Sequence, residues 1–195
     1  MKSLLSVLVV LLCWSQPSLA DDKIAAEGFL KSKLDAVMEV IQDKTMELEK
    51  KNSRIDEIFS PALDFPLMAK LSLGKKHWPS MTPENQERFT QLIIIRLKRT
   101  YFDKLPLYAE EKIVYSPPVQ VGQKVQIPTV LLSADDKTSI VYKLYKSKKN
   151  WKIYDIEIQG VSIIRSYRSE FNHILETGTI DDLLLKMEAS VADNG

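Results

Sequence analysis

Residues 154–171 read YDIEIQGVSIIRSYRSEF, and the fold turns on how that stretch is parsed. Tyr154 to Ile158 is a short β-type run that breaks at Gly160. From Ser162 onward, Ile163, Ile164, Tyr167, Phe171, Ile174 and Leu175 recur at steps of three and four, which places them on one face of a helix. A strand and a helix therefore meet at Gly160, a residue type able to take the backbone angles of a tight corner, and Ser162 is placed to N-cap the helix.

Upstream of that corner the apolar period is 2 back to Leu105-Pro106. Strands are expected over Glu111–Ser116, Lys124–Leu132, Thr138–Tyr145 and Trp151–Ile158, separated by Pro117-Pro118, Asp135-Asp136 and Lys146–Asn150. This is an antiparallel meander. Pairing Tyr145 with Trp151 sets Tyr142 against Tyr154, Ile140 against Ile156 and Thr138 against Ile158, and gives one apolar face of Ile140, Tyr142, Leu144, Tyr154, Ile156 and Ile158.

Further back the period is helical. Leu30, Leu34, Val37, Met38, Ile41 and Leu48 form one stripe on a helix expected from Asp21 to about Asn52. Asp64 is read as the N-cap of a helix stopped by Gly74. Thr82-Pro83-Glu84 opens a long helix to about Lys104, apolar over more than one stripe and so expected to be contacted on two sides. Beyond the Gly160 corner, Thr179 and Asp182 resemble a capping box before a short last helix carrying Ile180, Leu183, Leu184 and Met187. Helices, a four-stranded twisted antiparallel sheet, then helices make the class α+β.

Residues 1–20 read as a secretory signal: Lys2, the apolar run Leu4–Leu12, and Ser18-Leu19-Ala20 before a cleavage site near Ala20. The expected mature chain is one domain over 21–195, mainly helical over 21–106, with the sheet and C-terminal helices over 107–195. Cleavage removes Lys2 and the single cysteine, Cys13, leaving 26 basic and 26 acidic residues. A neutral chain has no long-range field to draw nucleic acid or an anionic membrane, and one without cysteine rests on its core.

Catalytic signatures are sparse. The chain has no G-x-S-x-G, no phosphate-cradling glycine loop and no paired-histidine metal spacing, and His77 and His173 read as a packed loop residue and a surface residue. No catalytic residue, metal or cofactor is expected, and the protein is read as not an enzyme. Asp155 is expected to pair with Arg165 or Arg168 across the strand–helix corner. Lys143, Lys146, Lys148, Lys149 and Lys152 read as a solvated basic hairpin, with contact to lipid headgroups or an acidic partner as the alternative.

Three stretches carry a resemblance: IFSPALDFPLMAKLSLGKKHW (58–78), TYFDKL (100–105) and WKIYDIEIQGVSIIRSYRSEF (151–171). They resemble the MlaC, or toluene-tolerance, family of periplasmic phospholipid-binding proteins, over about Leu30 to Met187. The resemblance implies a sheet and helices around a deep apolar pocket for acyl chains. It implies a periplasmic location without stable membrane insertion, with glycerophospholipid as cargo. It implies an inner-membrane ABC lipid transporter complex and an outer-membrane lipoprotein complex as partners, in a shuttle that maintains outer-membrane lipid asymmetry. A hopanoid or other lipid carrier of the same fold, or an isomerase-like enzyme on a cone-shaped α+β fold, are the alternatives.

The candidate walls of such a pocket are the apolar sheet face of Ile140, Tyr142, Leu144, Tyr154, Ile156 and Ile158, joined by Val125, Ile127 and Leu131 from the preceding strand. Leu97 and Tyr101 from the long helix, and Ile163 and Tyr167 from the later one, complete the set of expected lipid-binding residues.

Overall fold

The computed structural model describes residues 19–134, 136–148 and 150–192. The signal segment up to residue 18, Asp135 of the expected turn and Lys149 of the basic hairpin lie outside the described residues. Among the described residues, six α-helices accompany one antiparallel sheet: α1 (Leu19–Gln42), α2 (Leu48–Phe59), α3 (Phe65–His77) and α4 (Pro83–Tyr101) precede it, and α5 (Ile163–Leu175) and α6 (Ile180–Ala192) follow it. The strands are β1 (Lys112–Tyr115), β2 (Val119–Val121), β3 (Lys124–Leu132), β4 (Lys137–Ser147), β5 (Asn150–Ile158) and β6 (Val161–Ser162). The class is α+β as expected, but the sheet has six strands rather than four, because β1 and β2 share the outer edge of β3 and β6 adds a two-residue edge to β5.

The first helix ends sooner than its stripe suggests. The Asp43 carboxylate accepts from both the backbone N–H (2.8 Å) and the hydroxyl of Thr45, a local turn that competes with the helix and breaks it before α2. Asp64 does cap α3, accepting from Leu67 N at 3.0 Å. Gly74 kinks α3 instead of ending it, at φ 78°, in the left-handed region that a glycine enters without strain. Thr82 caps α4 through Asn85 N, and α4 is contacted on two sides: Phe89 meets Phe171 of α5 edge-on at 5.4 Å, while Tyr101 at its far end faces the sheet's cavity. The helix stops there, and Phe102–Tyr108, with Pro106 inside it, continues as a 3-10 turn.

The register of β4 on β5 corrects the expected pairing. Ile140 lies opposite Ile158, Tyr142 opposite Ile156 and Leu144 opposite Ile153, with a bulge that sets both Tyr154 and Asp155 against Lys143. The extra residue removes Tyr154 from the apolar face. Its ring instead meets Tyr145 at 6.1 Å, with the Lys124 ammonium 4.4 Å above it. The bulge lets Ile153 and Ile156 share one face although they are three residues apart.

At the corner, Gln159 (φ 50°) and Gly160 (φ 77°) form a two-residue hairpin turn into β6, the combination that primed turns require. Ser162 then caps α5, its hydroxyl accepting from Arg165 N at 3.1 Å. That hydroxyl also donates to Asp155 at 2.8 Å, so one buried carboxylate ties strand to helix start. Asp155 accepts further from Ile164 N at 3.3 Å and Lys143 at 3.0 Å. The expected Asp155–arginine pair is therefore not formed. Arg165 pairs with Glu157, and Arg168 reaches back to the Leu71 carbonyl.

Candidate functional site

The inner face of the sheet divides into two halves. At one end Val125, Ile127, Leu144 and Ile153 are wholly buried and packed solid. At the other end Thr129, Leu131, Thr138, Ile140, Ile156 and Ile158 look into a cavity of about 180 Å³. Its far wall is α1, through Leu34, Val37, Met38 and Ile41, and its ends are closed by Phe59, Phe102 and Ile163. On the same measure a water needs about 10–15 Å³, so the space would take on the order of a dozen waters. Few polar groups are available to hold them. Protein interiors pack to crystal-like density, and an apolar void of this size is not what core formation alone produces.

Lys104 is the single charged side chain among the lining residues. Only Thr100, Lys104 and Tyr108 of the lining residues are exposed, so the end of α4 and the following 3-10 turn mark where the cavity meets solvent. Deeper in, Tyr142 is 8% exposed and burial pushes its phenol well above the ordinary value, with Tyr115 adding to the effect. Burial likewise raises Tyr101. Both rings stay neutral at physiological pH, and the interior presents no negative charge to a cargo.

Of the thirteen residues read as pocket walls in the sequence, Tyr101, Leu131, Ile140, Tyr142, Ile156, Ile158 and Ile163 line the cavity. Val125, Ile127 and Leu144 sit on the same sheet face but in its filled half, and Leu97 is buried in the core one turn before Tyr101. Tyr154 is displaced by the bulge. Tyr167 stacks on Phe171 at 5.7 Å beneath the Arg96 guanidinium, which Glu170 holds at 2.9 Å. Missing from the sequence reading were the α1 wall and the Phe102–Tyr108 turn. The α1 stripe was visible, but a helical stripe facing a cavity has the same period as one facing a core.

Among the described residues, no group of three or more His, Cys, Asp or Glu side chains is placed to hold a metal, and no helix is long and apolar enough to cross a membrane. The family model described as MlaC protein matches residues 31–189, an interval that contains every lining residue. The chain belongs to the MlaC family. A curated relative, the intermembrane phospholipid transport system binding protein MlaC of Haemophilus influenzae, is 25% identical over 122 residues. That match covers 60% of this chain and 57% of the relative, so the chain spans a little over half the length of the MlaC relative it matches. A solved structure, the phospholipid-binding protein of Ralstonia solanacearum in complex with a phospholipid, is similar at a TM-score of 0.78 and 23% identity. It covers 87% of this chain and 98% of its own, a likeness that shows a shared fold over most of the molecule.

Proposed function

We propose that this protein is a carrier of glycerophospholipid, exported to the periplasm, that encloses acyl chains in the cavity between α1 and the sheet. The observation that carries the reading is the apolar chamber of about 180 Å³ with one cation, Lys104, at its mouth. Removing acyl chains from a bilayer costs about 0.8 kcal/mol per CH₂, on the order of 20 kcal/mol for two chains, which only a dry apolar enclosure offsets. The Haemophilus relative's name and the phospholipid in the Ralstonia structure support the same cargo class. Lys104 favours a cargo with an anionic group near its tails, and so a phospholipid over a hopanoid. The lipid contacts are Tyr101, Leu131, Ile140, Tyr142, Ile156, Ile158 and Ile163, with the α1 residues opposite them.

The mechanism is reversible binding without covalent chemistry: tails enter the chamber, and the phosphate stays at the mouth. Directional energy then comes from outside the chain, from an inner-membrane ABC lipid transporter complex and an outer-membrane lipoprotein complex between which the carrier moves. The test is transfer of a fluorescent phospholipid between donor and acceptor vesicles. Acceleration proportional to protein concentration is expected, and no acceleration together with no lipid uptake would refute the reading.

A further inference from the structure

A second concavity lies away from the lipid chamber, between α3 and α5, and shares no residue with it. Its volume is about 660 Å³. The floor is apolar, made by Leu67, Leu71, Leu73, Trp78 and Pro79. Its charged lining is one-sided: Lys70, Lys75, Lys76 and Arg168 against Glu176 alone, in a chain that is close to neutral overall. Among the described residues none of these four cations has a carboxylate within 4.0 Å, whereas Arg54, Arg88, Arg96 and Arg165 all do. The basic β4–β5 hairpin is different, since Lys143 and Lys146 are paired there and Lys152 donates to the Pro61 carbonyl.

Arg168 is fixed in place. Its Nε donates to the Leu71 carbonyl at 2.8 Å, and a second guanidinium nitrogen donates to the same oxygen. The remaining N–H groups are held on a part-buried, preorganised fork that carries a whole charge with no carboxylate within salt-bridge reach among the described residues. His77 reports the same field: burial first, and then the neighbouring Lys76 charge, hold its pKa below the ordinary value, so it is neutral at physiological pH.

We propose that the α3–α5 cleft is a docking site for an acidic segment of a partner protein, with carboxylates meeting Lys70, Lys75, Lys76 and Arg168 and an apolar side chain seated against Leu71 and Trp78. Concavity selects a protein segment over a bilayer. A membrane surface meets protruding cations, while a cleft with an apolar floor accepts a ridge that carries charge at its edges and an apolar residue at its crest. The two sites share no lining residue, although α5 contributes to both, with Ile163 in the chamber and Arg168 and Asn172 in the cleft.

The test is fluorescence anisotropy of a fluorescein-labelled synthetic peptide alternating glutamate and leucine, titrated with the full processed protein, beside a control peptide with lysine for glutamate. Saturable binding of the acidic peptide alone, weakened by salt, is expected. The exposed double variant K75E/K76E should lose about tenfold in affinity with unchanged thermal stability and lipid content. Affinity of K75E/K76E within twofold of the wild type, or no binding of the acidic peptide by the wild type, would overturn the proposal. Phosphatidylglycerol vesicles that bind through the same lysines while the peptide does not would assign the surface to a membrane, and overturn it equally.

Discussion

Replacing Asp155 by alanine tests whether one buried carboxylate holds strand and helix together at the Gly160 corner. The substitution removes acceptors for Ser162 Oγ at 2.8 Å, Ile164 N at 3.3 Å and Lys143 Nζ at 3.0 Å. Hydrogen bonds to a charged group contribute about 1.5–3 kcal/mol each, with the long Ile164 bond at the low end. Lys143 keeps Glu157 at 2.9 Å, so its share of the loss is small. The expected destabilisation is about 3–4 kcal/mol, a large part of the roughly 5–15 kcal/mol that a domain has in total. With a urea slope of about 2 kcal/mol/M, the midpoint should fall by roughly 1.5–2 M at an unchanged slope. Ser162→Ala should cost less alone and couple to Asp155→Ala by about 1 kcal/mol or more in a double-mutant cycle, whereas Arg168→Gln should add to it independently. A loss below about 1 kcal/mol for Asp155→Ala, or strong coupling to Arg168, would refute this account of the corner.

Three other outcomes can be checked with little equipment. Gly160→Ala should cost about 1–2 kcal/mol in chemical denaturation and the β-branched Gly160→Val more, because the strain comes from φ 77° while an added Cβ meets nothing within 4 Å; no loss for either variant would show that the corner does not need glycine. Lys104→Gln should weaken capture of phosphatidylglycerol roughly fivefold, leave diacylglycerol binding unchanged and be rescued by Lys104→Arg, as measured by lipid uptake from vesicles. Burial first, then the charge of Asp35, push Tyr115 up to about 12, so its folded form keeps a proton that the unfolded form loses near 10. Its contribution to stability is full below about pH 10 and is lost as pH rises toward about 12, visible as delayed phenolate absorbance in the folded protein and a falling urea midpoint.

The antiparallel meander and the caps at Asp64, Thr82 and Ser162 were legible in the sequence, because period and capping chemistry act within a few residues. The strand register was not: Tyr145 already lies opposite Lys152 rather than Trp151 near the turn, and a bulge at Tyr154 and Asp155 shifts the pairing by one more. The break at Asp43 was equally hidden, because Leu48 continues the apolar spacing of Ile41 one heptad on while a short side-chain turn beat helix continuation between them. Sheet-face assignment was right for Val125, Ile127 and Leu144, yet these fill the core while Leu131 and Ile140 line the cavity. A period of 2 tells which way a side chain points. It carries no information on whether the opposite wall is near enough to touch it, and that distance is set here by α1.

Native mass spectrometry with lipid identification, on protein purified without added lipid, tests the carrier reading most directly. Ile156→Trp and Ile140→Trp place an indole in the cavity, where the ring finds space and the cost should stay below the roughly 1–3 kcal/mol of overpacking a filled core. The wild type is predicted to carry glycerophospholipid, and the two folded variants to be largely empty. A wild type that is consistently empty, or variants that load as fully as it does, would contradict the claim that this cavity holds the cargo.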